Sequence, residues 1–323
     1  MTRISIIVPC YNLGDYLKPC LNGISKQEVG EAEYIFINDG SSDDTLIRLN
    51  EFCENRTYCK VLNQPNSGVS AARNAALSIA KGEYIYLLDG DDILTDDALR
   101  NMLAAIRNSD CDAVISEACV LKNGVEKKIP LPLPDGIYTP KEIYETAKVF
   151  PIMPQLLYRT EIIRSHNLRF DGNLRYGEVY EFTIRFFCFS KRIKVISECF
   201  FKYVMRDDSA THAPNFSKDL TIIHTLEKYN RVGIQFASLS SFKLTAYKMI
   251  MAFTYNKYVK LGLTSDEAIN NIRELITDSG IKKLIKEIST SSGVPIKDRL
   301  LAYYVSLTGV HGYKLLAKFL RLI

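Results

Sequence analysis

The sequence predicts an α/β protein, with a mostly parallel sheet carrying helices on both faces and an all-helical region after it. Three observations carry this. Short apolar runs alternate with 3.6-residue helical patterns through about residue 120. Several runs, such as Tyr84–Leu88, are continuously apolar, as in strands covered on both sides. From Ser217 onward the pattern is helical with no clear strand. Residues 1–212 are therefore read as one domain and 213–323 as a helical region that follows it.

Composition sets the outer bounds. With 323 residues and 47% hydrophobic content, the chain can bury a substantial core. The net charge of +4 is mild and the basic residues are dispersed, so nucleic acid is not an expected partner. No run approaches the ~18 apolar residues of a membrane span. Arg3 leads directly into Ile4–Val8, so no secretory signal is expected and the protein is read as cytoplasmic. The eight cysteines form no CxxC pair and the four histidines lack zinc spacing. Reduced, structural thiols are expected.

In chain order, Ile4–Val8 is the first strand, and Pro9 should stop it because proline cannot donate into a ladder. Pro9-Cys-Tyr-Asn12 then forms a loop at the strand's carboxyl end, the edge where open α/β sheets hold ligands. Tyr16, Leu17, Cys20, Leu21 and Ile24 mark the first helix. Tyr34–Ile37 is the second strand, leading into Asn38-Asp-Gly-Ser-Ser-Asp-Asp-Thr45. Ser41 or Ser42 is the expected cap of the helix over 46–53, with Asp43 and Asp44 in its first turn. Asp39 precedes the cap at a strand end and is a ligand candidate.

Lys60–Leu62 is the third strand. The helix after it is rich in small residues, Ala71, Ala72, Ala75 and Ala76, which permit close backbone approach. Ser67 and Gly68 lie at its start, where free N–H groups favour anions. Arg73 sits on a helix suited to burial and needs a partner, either a phosphate or an internal carboxylate such as Asp39 or Asp89.

The fourth strand, Tyr84–Leu88, ends in Asp89, Asp91 and Asp92 around Gly90. Unpaired carboxylates are costly to bury, so something positive is expected there. Asp89 and Asp91 share a side on a regular strand, and Gly90 permits a tight turn. The set suits a hard cation with few protein ligands, Mg²⁺ or Mn²⁺, completed by a substrate diphosphate. The bland alternative is an acidic turn before the helix of Leu99, Met102, Leu103 and Ile106.

Asp112–Ser116 is a fifth strand, and Asn123-Gly124 reads as a hairpin turn between 119–121 and a strand near Ile129. The prolines at 130, 132 and 134 give an extended loop. A helix is expected over 140–150, a strand at Leu156–Tyr158, a helix start at Thr160, and an apolar helix with Phe182, Phe186, Phe187 and Phe189. Late strands follow at 193–196 and 200–204. Helices are expected near 217–235, 241–261, 265–278, 281–289 and 296–322. The last mixes Leu300, Leu307, Leu316 and Phe319 with Lys314, Lys318 and Arg321. It is read either as part of a bundle or as lying on an anionic membrane surface, which would make the protein peripheral at the inner face of the membrane.

Four motifs in order, each at a strand end, resemble the family 2 glycosyltransferases of GT-A (Rossmann-like) fold. They are Val8-Pro-Cys-Tyr-Asn12, Asn38-Asp-Gly-Ser41 with Asp44-Thr45, Asn66-Ser-Gly-Val-Ser-Ala-Ala-Arg-Asn74, and Asp89-Gly-Asp91. The resemblance covers roughly residues 1–210. It implies inverting transfer from a nucleotide-diphosphate sugar, a UDP-sugar foremost, to a saccharide or lipid-linked acceptor. It implies that Pro9, Tyr11 and Asn12 line the nucleotide pocket and that Asp39 bonds the base. Arg73 and the Ser67–Gly68 turn would lie against the nucleotide. Asp89 would meet the ribose or sugar side, and Asp91 would bind Mn²⁺ or Mg²⁺. Arg206 and His212 fall on a loop resembling the family's donor-closing segment, so either would meet the diphosphate or the metal. For His212 a plain surface loop is an equal reading.

The family commonly carries its base as the Asp of Gly-Glu-Asp, but this chain has Gly177-Glu178-Val179. Valine accepts no proton, which leaves Glu178 as the first candidate base and Glu181, one turn on, as the second. Two other readings remain: a nucleotide-sugar-binding protein with little catalysis, and a nucleotidyltransferase. No Gly-rich triphosphate loop follows the first strand to favour the latter.

Overall fold

A computed structural model describes residues 2–27, 30–107, 109–147, 156–174, 177–205, 270, 273, 279–292 and 296–308. The strands are β1 (Ile4–Cys10), β2 (Ala32–Asp39), β3 (Cys59–Gln64), β4 (Tyr84–Leu87), β5 (Ile93–Leu94), β6 (Ala113–Lys122), β7 (Val125–Ile129), β8 (Gly136–Tyr138), β9 (Leu156–Arg159) and β10 (Ile193–Val204). The helices among them are α1 (Leu17–Ser25), α2 (Thr45–Cys53), α3 (Val69–Ile79), α4 (Ala98–Ile106), α5 (Pro140–Ala147), α6 (Thr160–Ser165) and α7 (Glu178–Phe189). Two more, α8 (Ser279–Thr290) and α9 (Ile296–Thr308), lie near the end of the chain. The chain divides into two units, Met1–Asn173 with Glu178–Arg206, and Leu174–Gly177 with Asp207–Ile323. The helices expected over 217–235 and 241–261 lie outside the described residues. No helix among the described residues is long and apolar enough to cross a membrane.

The sheet is mixed rather than mostly parallel. Its order is β3-β2-β1-β4-β9-β6-β10-β5, with β7 on β6 and β8 on β10. The first four strands are parallel, as the alternating pattern requires. The departure is β9, which inserts antiparallel between β4 and β6. Strand order is set by contacts distant in sequence, which periodicity does not carry. The two late strands are one, β10, with irregular register between Ile196 and Lys202. Pro9 does not end β1. Pairing with β4 stops at Ile7 opposite Leu87, while pairing with β2 continues to Cys10 opposite Asn38. Pro9 therefore lies beyond the last β4 partner, where a missing donor costs no ladder bond. The Asn123-Gly124 hairpin is present, with positive φ at both residues (50° and 77°).

Both faces of the central strands are covered. Ile4, Ile6 and Val8 of β1 join Tyr34, Phe36, Tyr84 and Tyr86 in a core shared with Leu17, Cys20 and Ile24 of α1, Leu49 of α2, and Leu99 and Met102 of α4. The alternate residues Ile7, Ile35, Ile37 and Leu87 are equally buried on the other face, where α3 packs against β1 and β2. Tyr158 of β9 continues that second layer, meeting Phe182 and Phe186 edge-on and bonding Thr183 at 2.8 Å.

One polar knot sits inside the sheet. Glu33 of β2 accepts from Ser5 Oγ (2.7 Å), the Lys81 N–H (2.6 Å) and Lys60 Nζ (2.7 Å). Ser5 Oγ in turn accepts from the Gly82 N–H at 2.8 Å, and a Cβ on Gly82 would collide with the Ser5 nitrogen. Burial alone would raise the Glu33 pKa, but the bonds from Lys60, Ser5 and Lys81 outweigh it and hold the carboxyl below its ordinary value of 4.5. A lowered folded-state pKa gives stability that is full above that value and is lost as pH falls through the folded one. Glu33→Gln is expected to lower the unfolding free energy at neutral pH by about 1–3 kcal/mol. In urea denaturation at a series of pH values, the gap between wild type and variant should close in acid.

Candidate functional site

The carboxyl ends of β1, β2 and β4 meet loops that are bonded to one another. After β1, Asn12 takes a left-handed φ of 48°, which asparagine tolerates. Its N–H donates to Ser41 Oγ (3.0 Å) and its Oδ1 accepts from the Ser42 N–H (2.8 Å). Thus Ser41 and Ser42 do not cap α2. Asp44 is the N-cap residue, without a side-chain cap bond, while Asp43 accepts from the Thr45 N–H (3.0 Å) and the Gly14 N–H (2.9 Å). The expected capping serines instead lock the β1 and β2 loops together. Pro9 is buried and Tyr11 is half exposed beside this junction.

Asp39 ends β2 and is buried. Its Oδ1 accepts from Gln64 Nε2 (2.7 Å) and the Ser67 N–H (2.9 Å), and its Oδ2 accepts from the Gly68 N–H (2.8 Å). The anion found at the start of α3 is therefore Asp39 itself, which corrects the expectation that the Ser67 and Gly68 donors stand free. Asp39 is also not the partner of Arg73. Gly40 makes this turn possible: its φ is +71°, and a Cβ there would lie 2.5 Å from the Asn66 nitrogen.

The acids after β4 are not on a strand, which ends at Leu87. Asp89 and Asp92 close a turn through Asp92 N–H to Asp89 O (3.0 Å). Gly90 serves close approach more than a positive φ. A Cβ would lie 2.5 Å from Leu13 Cδ1, 3.1 Å from Cys10 Sγ and 3.2 Å from Pro9 O, so the turn rests on the β1 loop. Asp92 is buried and accepts from the Val204 N–H at 3.0 Å, tying the turn to β10. Asp91 is half-buried beside it. Burial, and then the Asp91 and Asp89 charges, push the Cys10 thiol pKa upward.

Arg73 of α3 is 2% exposed. It donates from Nη2 to Asp89 Oδ1 and from Nη1 to Glu178 Oε1, each at 2.9 Å. Its guanidinium lies 5.5 Å from the Phe170 ring centre. Burial alone would lower its pKa, but the Asp89 and Glu178 charges outweigh this and hold it above the ordinary value. Asn74, next in sequence, exchanges two 2.8 Å bonds with the Phe170 backbone. The motif around Arg73 quotes Asn74 but its spacing assigns it no task, because its partner is 96 residues away.

Glu181 is apart from this group. It is 1% exposed and paired with Arg185 on its own helix, with Arg185 Nε to Oε1 at 2.7 Å. Val179 is buried. Arg206 and His212 lie outside the described residues. Among the described residues, no three His, Cys, Asp or Glu gather closely enough to hold a metal by themselves. A cleft of about 540 Å³ lined by Lys26, Asp96, Asp97 and Arg100 shares no residue with this edge, and those four charges pair with each other.

Residues 5–163 match the glycosyl transferase family 2. The match covers 159 of the 323 residues, just under half of the chain. The match takes in all four strand-end motifs. Over 219 residues the chain is 28% identical to EpsJ, an uncharacterized glycosyltransferase of Bacillus subtilis, covering 65% of this chain and 63% of that protein. A poly(ribitol-phosphate) beta-glucosyltransferase of Bacillus spizizenii is 26% identical over 210 residues, 64% of this chain and 33% of the relative. The aligned part thus spans less than two thirds of each. The structure of S. aureus TarS 1–349 in complex with UDP-GlcNAc has a TM-score of 0.73 at 21% identity, covering 99% of this chain and 92% of that one. The matched segment therefore has the GT-A architecture.

Within it, removing the buried cation should cost stability. Arg73→Met is expected to destabilise the domain by about 1–3 kcal/mol, because the half-buried Glu178 and Asp89 would lose their shared counter-charge. Chemical denaturation measures it, and a loss below about 1 kcal/mol would mean water replaces the guanidinium.

Proposed function

We propose that the chain is an inverting glycosyltransferase that moves a sugar from a UDP-sugar to a saccharide or lipid-linked acceptor, in the synthesis of a polysaccharide or glycolipid. The observation that carries this is the convergence of the Asn12 loop, the Asp39 turn and the Asp89–Asp92 turn on one sheet edge, within a segment that matches family 2. The likeness to a fold that holds UDP-GlcNAc, and the sequence similarity to a poly(ribitol-phosphate) glucosyltransferase, support a UDP-sugar donor and a polymeric acceptor.

In this reading Pro9, Tyr11 and Asn12 line the nucleotide pocket, the Tyr11 ring lying against the base. Asp39 shapes the base pocket through the Ser67–Gly68 turn. It uses three of a carboxylate's roughly four acceptor sites, leaving one for the base. The donor set fits Mn²⁺ or Mg²⁺: Asp91 and Asp89 offer hard oxygens, and donor phosphate oxygens complete the shell. The cation, when bound, supplies charge stabilisation to the leaving diphosphate.

Glu178 is assigned as the base that takes the acceptor's hydroxyl proton. Arg73 fixes one of its oxygens and leaves the other to face the acceptor. Glu181 suits the task less, since Arg185 engages both its oxygens. The buried Val179, at the family's usual base position, favours one competing reading: a protein that binds the donor without turning it over. UDP release from a UDP-sugar offered with a panel of acceptor saccharides separates the two.

Asp91→Ala should abolish the Mn²⁺-dependent part of UDP binding in calorimetry and leave the melting temperature nearly unchanged. Undiminished metal-dependent affinity would remove Asp91 from the site. Glu178→Gln should keep UDP affinity and lower transfer by about 10²–10⁴-fold, while Glu181→Gln keeps transfer within a few-fold. Near wild-type transfer by Glu178→Gln would place the base elsewhere.

A further inference from the structure

The α8–α9 pair carries two features that the sugar-transfer reading does not use. The first is a helix with two apolar faces. Ala302 and Val305 of α9 are buried, as are Ile285 and Ile288 of α8, and the two helices pack together. On the opposite side of α9, Ile296, Leu300, Tyr303 and Leu307 are 55–68% exposed. At about 100° per residue they fall within about 60° of arc, a continuous stripe along the helix. Surface helices normally oppose their apolar stripe with polar residues. A second, exposed stripe marks a surface that meets something apolar.

The second feature is charge segregation. Residues 279–323 hold eight of the 41 Lys and Arg but two of the 37 Asp and Glu, so they carry +6. The preceding 278 residues carry −2 against the chain's +4. Lys282, Lys283 and Lys286 of α8 are exposed. Arg299 is half-buried next to the α9 stripe in sequence, as long basic side chains can lay their stems along apolar surface.

We propose that the exposed face of α9 docks on the surface of an anionic lipid bilayer, with Ile296, Leu300 and Leu307 entering the headgroup region and the exposed lysines of α8 meeting lipid phosphates. An apolar stripe bordered by lysine and arginine is the pattern of an interfacial helix. Anionic lipid attracts such a segment through each basic residue near its surface. The spacing of four, three and four residues along the stripe would also seat a second helix. Charge decides between the two. A second copy of this chain would bring another +6 segment against the first, whereas an anionic bilayer neutralises it.

The test is flotation of the full chain with phosphatidylcholine vesicles, with and without an equal part of phosphatidylglycerol. The wild type should float with the anionic vesicles at low salt, remain in solution with phosphatidylcholine alone, and detach as salt rises. Leu300→Glu with Leu307→Glu should weaken anionic vesicle binding at least about tenfold. The melting temperature and UDP affinity should not change, which separates this result from misfolding and from any failure of the donor site. Should the double variant unfold, Lys282→Gln with Lys283→Gln and Lys286→Gln provides a second arm, with weaker anionic binding expected. Absence of binding to anionic vesicles, or equal binding to both vesicle types, would overturn the proposal. A wild-type dimer that the Leu300/Leu307 variant converts to monomer would do the same by giving the face to a second copy.

Discussion

Arg73 is the constraint on which the candidate site depends. A guanidinium 2% exposed cannot stand alone, and each of its two terminal nitrogens holds one carboxylate. Those carboxylates come from Asp89, after β4, and Glu178, at the start of α7, 16 and 105 residues away from it. One cation thereby fixes the distance between the acidic turn and the first turn of a helix far along the chain. Asn74 adds a second anchor on the same helix, clamping the Phe170 backbone eight residues before Glu178. The small residues of α3 let it lie near enough to β1 and β2 for both anchors to reach.

The remaining edge is organised by backbone conformation rather than by charge alone. Asp39 gathers two loop N–H groups and a side-chain amide, an arrangement that gives a buried carboxylate the donors it requires. It works only because Gly40 turns the chain at a positive φ where any Cβ would strike Asn66. Gly90 performs the matching task at the acidic turn, letting it rest on Pro9, Cys10 and Leu13. Ser41, Ser42 and Asn12 join the first two loops. The edge is thus cross-linked before any ligand enters, and a site held in advance loses little freedom when it binds.

What was readable in the sequence follows from the range of the interactions. The parallel strands β1 to β4 and their helices show in local periodicity, because burial on both faces writes a continuous apolar run. Asp39, Arg73 and Asp89 stand out for a related reason: charge at a strand end or within a buried helix needs a partner, whereas Glu178 stands out only through the family motif it occupies. The partners themselves were not readable. Whether Arg73 met Asp39 or Asp89, and that Glu178 joined it, depends on contacts across 16 to 105 residues. The placement of β9 between β4 and β6 fails for the same reason. Ser41 and Ser42 fit a cap pattern, but Asn12 from another loop competes for them. Sequence spacing cannot register such a competitor.

The replacement of the usual aspartate by Val179 becomes less disabling once Arg73 is considered. In the reading proposed here, a base at Glu178 belongs to a three-group cluster with Asp89 and Arg73. With both acids ionised the cluster carries one net negative charge; after Glu178 accepts a proton it carries none. Neither state strands a lone cation in the interior, since Asp89 keeps its bond to Arg73 throughout. Glu181 lacks this property. Protonating it would leave Arg185 without the carboxylate it pairs with, one turn along the same helix. Charge balance therefore favours the acid that shares its arginine over the acid that has one to itself.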